Sequence, residues 1–394
     1  MSQSLSVSDC YTSFFLAKNR SRPDFGYTTG TCAAAASCAA ARMLVQQEFV
    51  PYVFIRLPEG SALCLEVLDA HFSKDSASCA VKKDSGSDPD VTNGILVYSS
   101  VEFSDDDGIK ILGGEGIGKV TLPGLDQEVG SWAINSVPQK MIRDSVASEV
   151  SENNRGVKVT ISIPCGAELA KKTFNPRLGI IGGISVLGTS GIVRPMSDEA
   201  LVQTIRAEIS MRAALNYTVL SVVPGNYGMD FLKDEFAFDF GFAVECSNFA
   251  YDSILLAREY GFKKYFLTGH LGKLVKIAGG AKNTHSKYGD GRMQILFSVA
   301  KDFCEKDKLP FLGKEIMACV STEIAVDVLE KFNLRTKVLN KIAQLVKMNM
   351  QDWVPEMEVE LVLFTKKHGL LARTDHAYDF IEELKLCAAK EGRE

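Results

Sequence analysis

The alternation of apolar and polar positions divides the chain into two stretches with different periods. From Tyr52 to Leu112 short β-rich runs follow one another: YVFIRL, ALCLEVLDAHF, SASCAVKK, GILVYSSVEF and IKIL. Turn clusters separate them, notably SGSDPDVTNG at Ser85 to Gly94, and this spacing predicts a mainly antiparallel sheet. A helix is expected from Pro138 through Val150, and VKVTISIP, Val157 to Pro164, alternates as a further strand. Beyond Ser197 the pattern becomes α/β. Leu201, Ile205, Ile209 and Ala213 form an i, i+4 row, and the apolar run Tyr217 to Val223 then ends at PGNYG. A helix at about Phe249 to Tyr260 precedes a strand at Tyr265 to Thr268, which runs into GHLGKLVKIAGGAKNTHS, Gly269 to Ser286. Later helices carry apolar rows at Ile324, Val328 and Phe332, at Val338, Ile342 and Leu345, and at Phe380, Leu384 and Cys387. A strand at Val359 to Phe364 interrupts them.

The expected fold class is α+β and α/β: a mainly antiparallel, β-rich N-terminal domain with an Ala-rich helix, joined to a largely parallel, helix-covered C-terminal sheet. The length of 394 residues supports two domains. Residues 1–22 are polar and Ser-rich and are read as a flexible arm, residues 23–170 as the β-rich domain, and residues 171–394 as the α/β domain.

Three glycine-bearing stretches punctuate this pattern. In GYTTGTCAAAASCAAARMLV, Gly26 to Val45, Thr28, Thr29 and Thr31 offer capping hydroxyls and the alanine run has the highest helix propensity available. A helix starts near Thr31; its first-turn amides suit either an anion or plain packing. In GGEGIGKVTLPGL, Gly113, Gly114, Gly116 and Gly118 surround Glu115 and exclude a stable helix or central strand. In TFNPRLGIIGGISVLGTSGIVRPMS, Thr173 to Ser197, the run Ile180 to Ile184 leads to a loop with Gly188, Thr189 and Gly191, then to a helix opening at Ser197. A strand, glycine loop and helix N-terminus can admit a nucleotide-like ligand, and can equally be a tight βα connection. The loops at Gly188, Gly225 and Gly269 are expected on one carboxyl edge of the parallel sheet, with the Gly188 loop as one wall of an interdomain cleft.

Composition narrows the function. Apolar content of 46% and charged content of 24% are those of a globular protein. A net charge of −5 gives no bulk reason to bind nucleic acid or an anionic membrane. No run of 18 apolar residues occurs, so neither membrane spanning nor secretion is expected. Ten cysteines without a C-x-x-C pair read as buried thiols in a reducing cytoplasm, with no metal site. An acidic ligand therefore needs a local basic pocket. Two of the five histidines, His270 and His285, flank a segment carrying Lys273, Lys276, Lys282 and Lys287, which is the one cation-rich glycine edge.

Taken together, GYTTGTCAAAA, DPDVTNG, GGEGIGKVTLPGL, AINSVP, KTFNPRLGIIGGISVLGTSGIVRPMS, GNYG, CSNF and GHLGKLVKIAGGAKNTHS resemble the cobalt-precorrin-5B C1-methyltransferases, the CbiD family of the anaerobic cobalamin pathway. The motifs span about Gly26 to Ser286; Ser87, Ser136 and Gln139 depart from the family's expected acid, proline and arginine. The resemblance implies transfer of the S-adenosyl-L-methionine methyl to C1 of a cobalt-bearing tetrapyrrole, giving cobalt-precorrin-6A, with cobalt present only as part of the substrate. On the geometry of the glycine loops alone, the donor is assigned to Gly113, Gly114, Glu115, Gly116, Gly118, Gly188, Thr189 and Gly191. The tetrapyrrole is assigned to Thr28, Thr29, Arg177 and Lys273, with His270 and His285 as catalytic candidates that remove a proton or approach the cobalt. Homo-oligomer formation is left open. The competing readings are a corrinoid carrier without chemistry and an ATP-dependent small-molecule kinase, the latter opposed by the absence of a Lys-Ser or Lys-Thr pair after any glycine loop.

Overall fold

A computed structural model describes residues 25–151, 155–195, 197–237 and 241–390. The arm expected over residues 1–22 lies outside the described residues. The contacts divide the chain into two compact units, one ending at Ser197 and the other beginning at Asp198.

The first unit contains β1 (Gly26–Tyr27), α1 (Thr29–Gln46), β2 (Tyr52–Arg56), β3 (Ala62–Glu66), β4 (Leu68–Phe72), β5 (Ser76–Lys82), β6 (Leu96–Ser104) and β7 (Ile109–Gly113). There follow β8 (Lys119–Val120), α2 (Ser136–Val150), β9 (Gly156–Ser162), α3 (Gly166–Ala170), β10 (Ile180–Ile181) and β11 (Ile192–Val193). Its main sheet has the order β4-β5-β6-β9-β7 and is antiparallel except for the β7–β9 pair, as the β-rich runs predicted. The run ALCLEVLDAHF is not one strand. It breaks at Val67 into β3, which pairs with β2 in a separate hairpin, and β4, at the edge of the main sheet.

Thr28 caps α1, its Oγ1 accepting the Thr31 N–H at 3.2 Å, and Gln47 ends it in the left-handed region with its N–H on the Met43 carbonyl. The helix is buried along its length because its alanines let the backbone come close to the sheet. Cys79 Sγ donates to the Ala36 carbonyl at 3.2 Å, and the Ser37 and Ser99 hydroxyls are 2.9 Å apart. A larger residue on this face would overpack the layer.

The second unit contains α4 (Asp198–Ala214), β12 (Val219–Val223), α5 (Asn226–Phe236), β13 (Val244–Glu245), α6 (Ala250–Glu259), β14 (Lys264–His270), α7 (Leu271–Ala278) and α8 (Arg292–Ala300). It continues with α9 (Leu309–Met317), α10 (Thr322–Lys331), α11 (Arg335–Trp353), β15 (Glu358–Thr365), β16 (Gly369–Arg373) and α12 (Ala377–Lys390). The strand order is β13-β12-β14-β15-β16, parallel through β15, with β16 antiparallel. The strands β12, β14 and β15 are buried almost throughout, as in a sheet covered on both faces. The chain leaves β12 for β13 on one side and returns to β14 on the other, so the order reverses between β12 and β14. In open α/β sheets that crevice at the carboxyl ends is where ligands bind.

Two expectations change. The stretch Thr173 to Ser197 supplies no strand to the parallel sheet. Gly182 and Gly183 interrupt its apolar run, and only Ile180 and Ile181 pair, with β8, while Ile192 and Val193 pair with β1. The Gly188 loop therefore packs within the first unit rather than on the edge that carries Gly225 and Gly269. In α10 the inward side is Thr322, Ala325, Val326 and Leu329, and Ile324, expected in the core, is 43% exposed.

Candidate functional site

In the first unit, the glycine and threonine candidates meet one another. Thr29 Oγ1 accepts the Leu187 N–H at 3.0 Å, Thr31 Oγ1 donates to the Gly191 carbonyl at 2.8 Å, and the Gly30 N–H donates to the Leu187 carbonyl. The loop through Gly188, Thr189 and Gly191 thus covers the N-terminus of α1 and uses the hydroxyls of Thr29 and Thr31 and the backbone N–H of Thr28. Gly188, at φ 137°, is glycine because a Cβ there would lie 2.2 Å from Thr28 Oγ1. In the other loop, a Cβ on Gly116 would lie 1.8 Å from the Ile163 carbonyl oxygen, one on Gly113 2.6 Å from the Trp132 ring and one on Gly114 2.3 Å from Ser162 Oγ. A Cβ on Gly118 would meet Ile180 at 2.4 Å. Glu115 is exposed, and its carbonyl accepts the Ile163 N–H. Arg177 is half-buried in a short 3₁₀ turn, Asn175–Leu178. These glycines answer to neighbouring atoms of the unit itself, backbone at Gly116 and side chains at Gly113, Gly114, Gly118 and Gly188.

The second unit is built differently. A cavity of about 550 Å³ opens at the carboxyl ends of β12, β14 and β15, and Gly225, Gly228, Asn248, Thr268, His270, Lys273, Lys276, His285, Arg292 and Phe364 are among its lining. His270, His285 and Lys273 are therefore brought together, as their shared segment suggested. Gly225 precedes α5 at φ 156°, and a Cβ on it would meet nothing within 4 Å. A Cβ on Gly228, in contrast, would lie 2.9 Å from Val223 Cβ and 3.1 Å from the Thr268 carbonyl oxygen. One glycine opens the backbone to the cavity, and the other lets α5 press onto the sheet. These are two of the three roles of glycine in a dinucleotide-type loop, and the residue in the first, tight-turn position is Val223.

Lys273 Nζ donates to the carbonyls of Pro224 at 2.6 Å and Ser247 at 3.0 Å, tying the loops after β12 and β13 together. Lys276, 9% exposed, donates to the carbonyls of Thr284 and Gly289. Among the described residues no carboxylate lies within ion-pair distance of either ammonium, so both charges remain available to an anion in the cavity. Burial pulls the Lys273 pKa below the usual lysine value, and Glu245 is among the groups opposing that shift. Arg292 is already neutralised by a bidentate pair with Asp290, at 2.6 and 2.5 Å.

His270 caps α7, its Nδ1 accepting the Gly272 N–H at 3.1 Å, and its ring stands edge-on to Phe364. Its Nε2 lies 3.8 Å from Glu323 Oε1. Burial lowers the His270 pKa, with Glu323 working against it. A neutral ring whose Nδ1 accepts carries its proton on Nε2, the nitrogen nearer Glu323. His285 caps an exposed 3₁₀ turn, its Nδ1 accepting the Lys287 N–H at 3.0 Å. The thiols of Cys32 and Cys246 are buried, and that burial pushes them up to about 12, which removes them as nucleophiles. Among the described residues no group of three potential metal ligands occurs, and no helix is long and apolar enough to cross a membrane.

A cavity at the switch point of a doubly wound sheet, with a glycine opened toward it, is where α/β proteins commonly bind small molecules. Comparison with known proteins gives the family. The model described as CbiD matches residues 16–195, and that of the CbiD C-terminal domain matches residues 283–375. A cobalt-precorrin-5B C(1)-methyltransferase of Thermoanaerobacter sp. is 42% identical over 89% of this chain and 94% of that protein. Its namesake in Ruminiclostridium cellulolyticum is 42% identical over 94% of this chain and 97% of its own length. A crystal structure of the cobalamin biosynthesis protein CbiD from Archaeoglobus fulgidus is 27% identical and covers 65% of this chain and 79% of its own, with a TM-score of 0.36. The chain belongs to the CbiD family.

Proposed function

We propose that the chain methylates C1 of cobalt-precorrin-5B in cobalamin biosynthesis, with S-adenosylmethionine as donor. The observation that carries this reading is the 42% identity, over 89% of the chain, to a protein of that name. The donor supplies an activated sulfonium methyl: the bond to C1 forms as the sulfur–methyl bond breaks, and S-adenosylhomocysteine leaves. The protein's task is then to align the two partners and exclude water.

In this reading the donor occupies the cavity of the second unit. Its volume suits one small molecule, so the larger macrocycle lies across the mouth. Gly225 lets the backbone approach the donor, Lys273 and Lys276 receive carboxylate charge, and Phe364 gives a wall compatible with a sulfonium. His270 and His285 offer Nε2–H donors to the carboxylates of the tetrapyrrole. The loops Gly113–Gly118 and Gly188–Gly191, with Thr28 and Thr29, serve the packing of the first unit.

The test is incubation of the protein with cobalt-precorrin-5B and S-adenosylmethionine, read by mass, beside titration with S-adenosylhomocysteine. Gain of one methyl is the expected result. Corrinoid binding without mass gain would favour a carrier, and binding of ATP in place of S-adenosylhomocysteine would favour a kinase.

A further inference from the structure

The second unit has a further feature of a nucleoside site beyond its glycines. Strand β13 lies next to β12 in parallel register, Val223 opposite Glu245, so Glu245 stands at the carboxyl end of the sheet beside the Pro224–Gly225 turn. Glu245 follows Gly225 by about twenty residues of chain, through α5 and into the neighbouring strand, which is the place of the acidic residue that holds a ribose hydroxyl in dinucleotide-binding sheets. The glycines before it fill their matching roles: Gly225 faces open space, and Gly228 packs α5 against Val223. Glu245 is half-buried, with its backbone N–H turned to Glu208 Oε2 at 3.4 Å. Its carboxylate attracts the ammonium of Lys273, a cavity-lining residue held on the carbonyls of Pro224 and Ser247. Asn248, three residues further on, lines the same cavity.

We infer that Glu245 accepts hydrogen bonds from the ribose hydroxyls of a nucleoside ligand, and that this contact selects a ribonucleoside donor. The inference rests on the proposed function and goes beyond it by naming the part of the donor that Glu245 reads. A carboxylate accepts from vicinal hydroxyls without needing a proton, and a site built to bond a hydroxyl rejects the ligand that lacks it.

The experiment is calorimetric titration of the full-length protein and of Glu245→Gln with S-adenosylhomocysteine and with its 2′-deoxy analogue. Wild-type protein should bind the deoxy analogue about tenfold more weakly, and Glu245→Gln should weaken the parent ligand by about 10- to 100-fold, the range of a hydrogen bond to a charged group. The two losses should not add, because the variant no longer distinguishes the ligands. An unchanged thermal melt separates this from misfolding, and Glu245→Asp should retain part of the discrimination. Equal binding of the two ligands by wild-type protein overturns the inference without any variant, as does a variant that binds and discriminates like wild type. Wild-type protein that binds neither ligand and transfers no methyl overturns the proposed function together with this contact; binding or transfer without discrimination overturns the contact alone.

Discussion

Gly188 and Gly225 each follow an apolar run, and the two units use them in opposite ways. At Gly188 a Cβ would strike Thr28 Oγ1 at 2.2 Å, and the loop is bonded onto the threonines at the start of α1. At Gly225 a Cβ would meet nothing within 4 Å, and the same space belongs to the cavity at the end of β12. Both positions disfavour a side chain, Gly188 because the protein's own chain fills the space and Gly225 because of its backbone conformation at φ 156°, with open space beside it. A glycine loop signals close approach; only its surroundings say what approaches.

The most severe test of this contrast is Gly116→Ala, which places a Cβ 1.8 Å from the Ile163 carbonyl oxygen at a positive φ of 72°. Backbone on both sides leaves little to yield, and the expected loss is about 3–5 kcal/mol, read as a collapse of the chemical-denaturation midpoint or failure to fold. Gly188→Ala meets the Thr28 side chain, including its Cβ at 2.5 Å, at a positive φ, and the loop has to shift to relieve the contact, so about 2–3 kcal/mol is expected. The folded fraction should still bind S-adenosylhomocysteine with wild-type affinity; a loss of affinity at unchanged stability would return the donor to the first unit. Gly225→Ala should show the reverse pattern. It costs about 1 kcal/mol for the backbone conformation and raises the Kd for S-adenosylhomocysteine about tenfold. Unchanged binding would remove the cavity from the donor reading.

The smallest effect concerns His270. Replacement by Ala removes the α7 cap at about 1 kcal/mol, whereas Asn can restore the acceptor. Since burial lowers the folded-state pKa of His270, the folded protein favours the neutral ring and the unfolded chain takes up a proton first. The stability this provides is present above the ordinary histidine value of about 6.5 and is lost as pH falls below it through the folded value. Denaturation midpoints measured across that range should fall less steeply for His270→Asn than for wild type. An identical slope would mean that another group governs the acid limb.

Part of the site was legible because it is local. His270, Lys273 and His285 come from one segment, and the cations in that segment marked it without any fold. Asn248 and Phe364 come from other places along the chain and meet that segment only because the strands of the parallel sheet end side by side. The spacing of Gly225, Gly228 and Glu245 was present in the sequence, but Val223 in place of the first glycine broke the usual pattern. Lys273 lines the cavity, and its bonds to Pro224 and Ser247, which make it a brace between two loops, depend on residues far from it in sequence.

Periodicity alone determined the two kinds of sheet, since strand and helix patterns arise between neighbours a few residues apart. The long motifs likewise carried the family without any structure. The tertiary structure decided which glycine faces its own chain and which faces a cavity, which nitrogen of His270 holds the proton, and which unit holds the Gly188 loop. Each of these depends on what stands within a few ångströms of an atom, and in this fold those neighbours come from distant parts of the chain: Thr28 against Gly188, Ile163 against Gly116, and Glu323 beside His270.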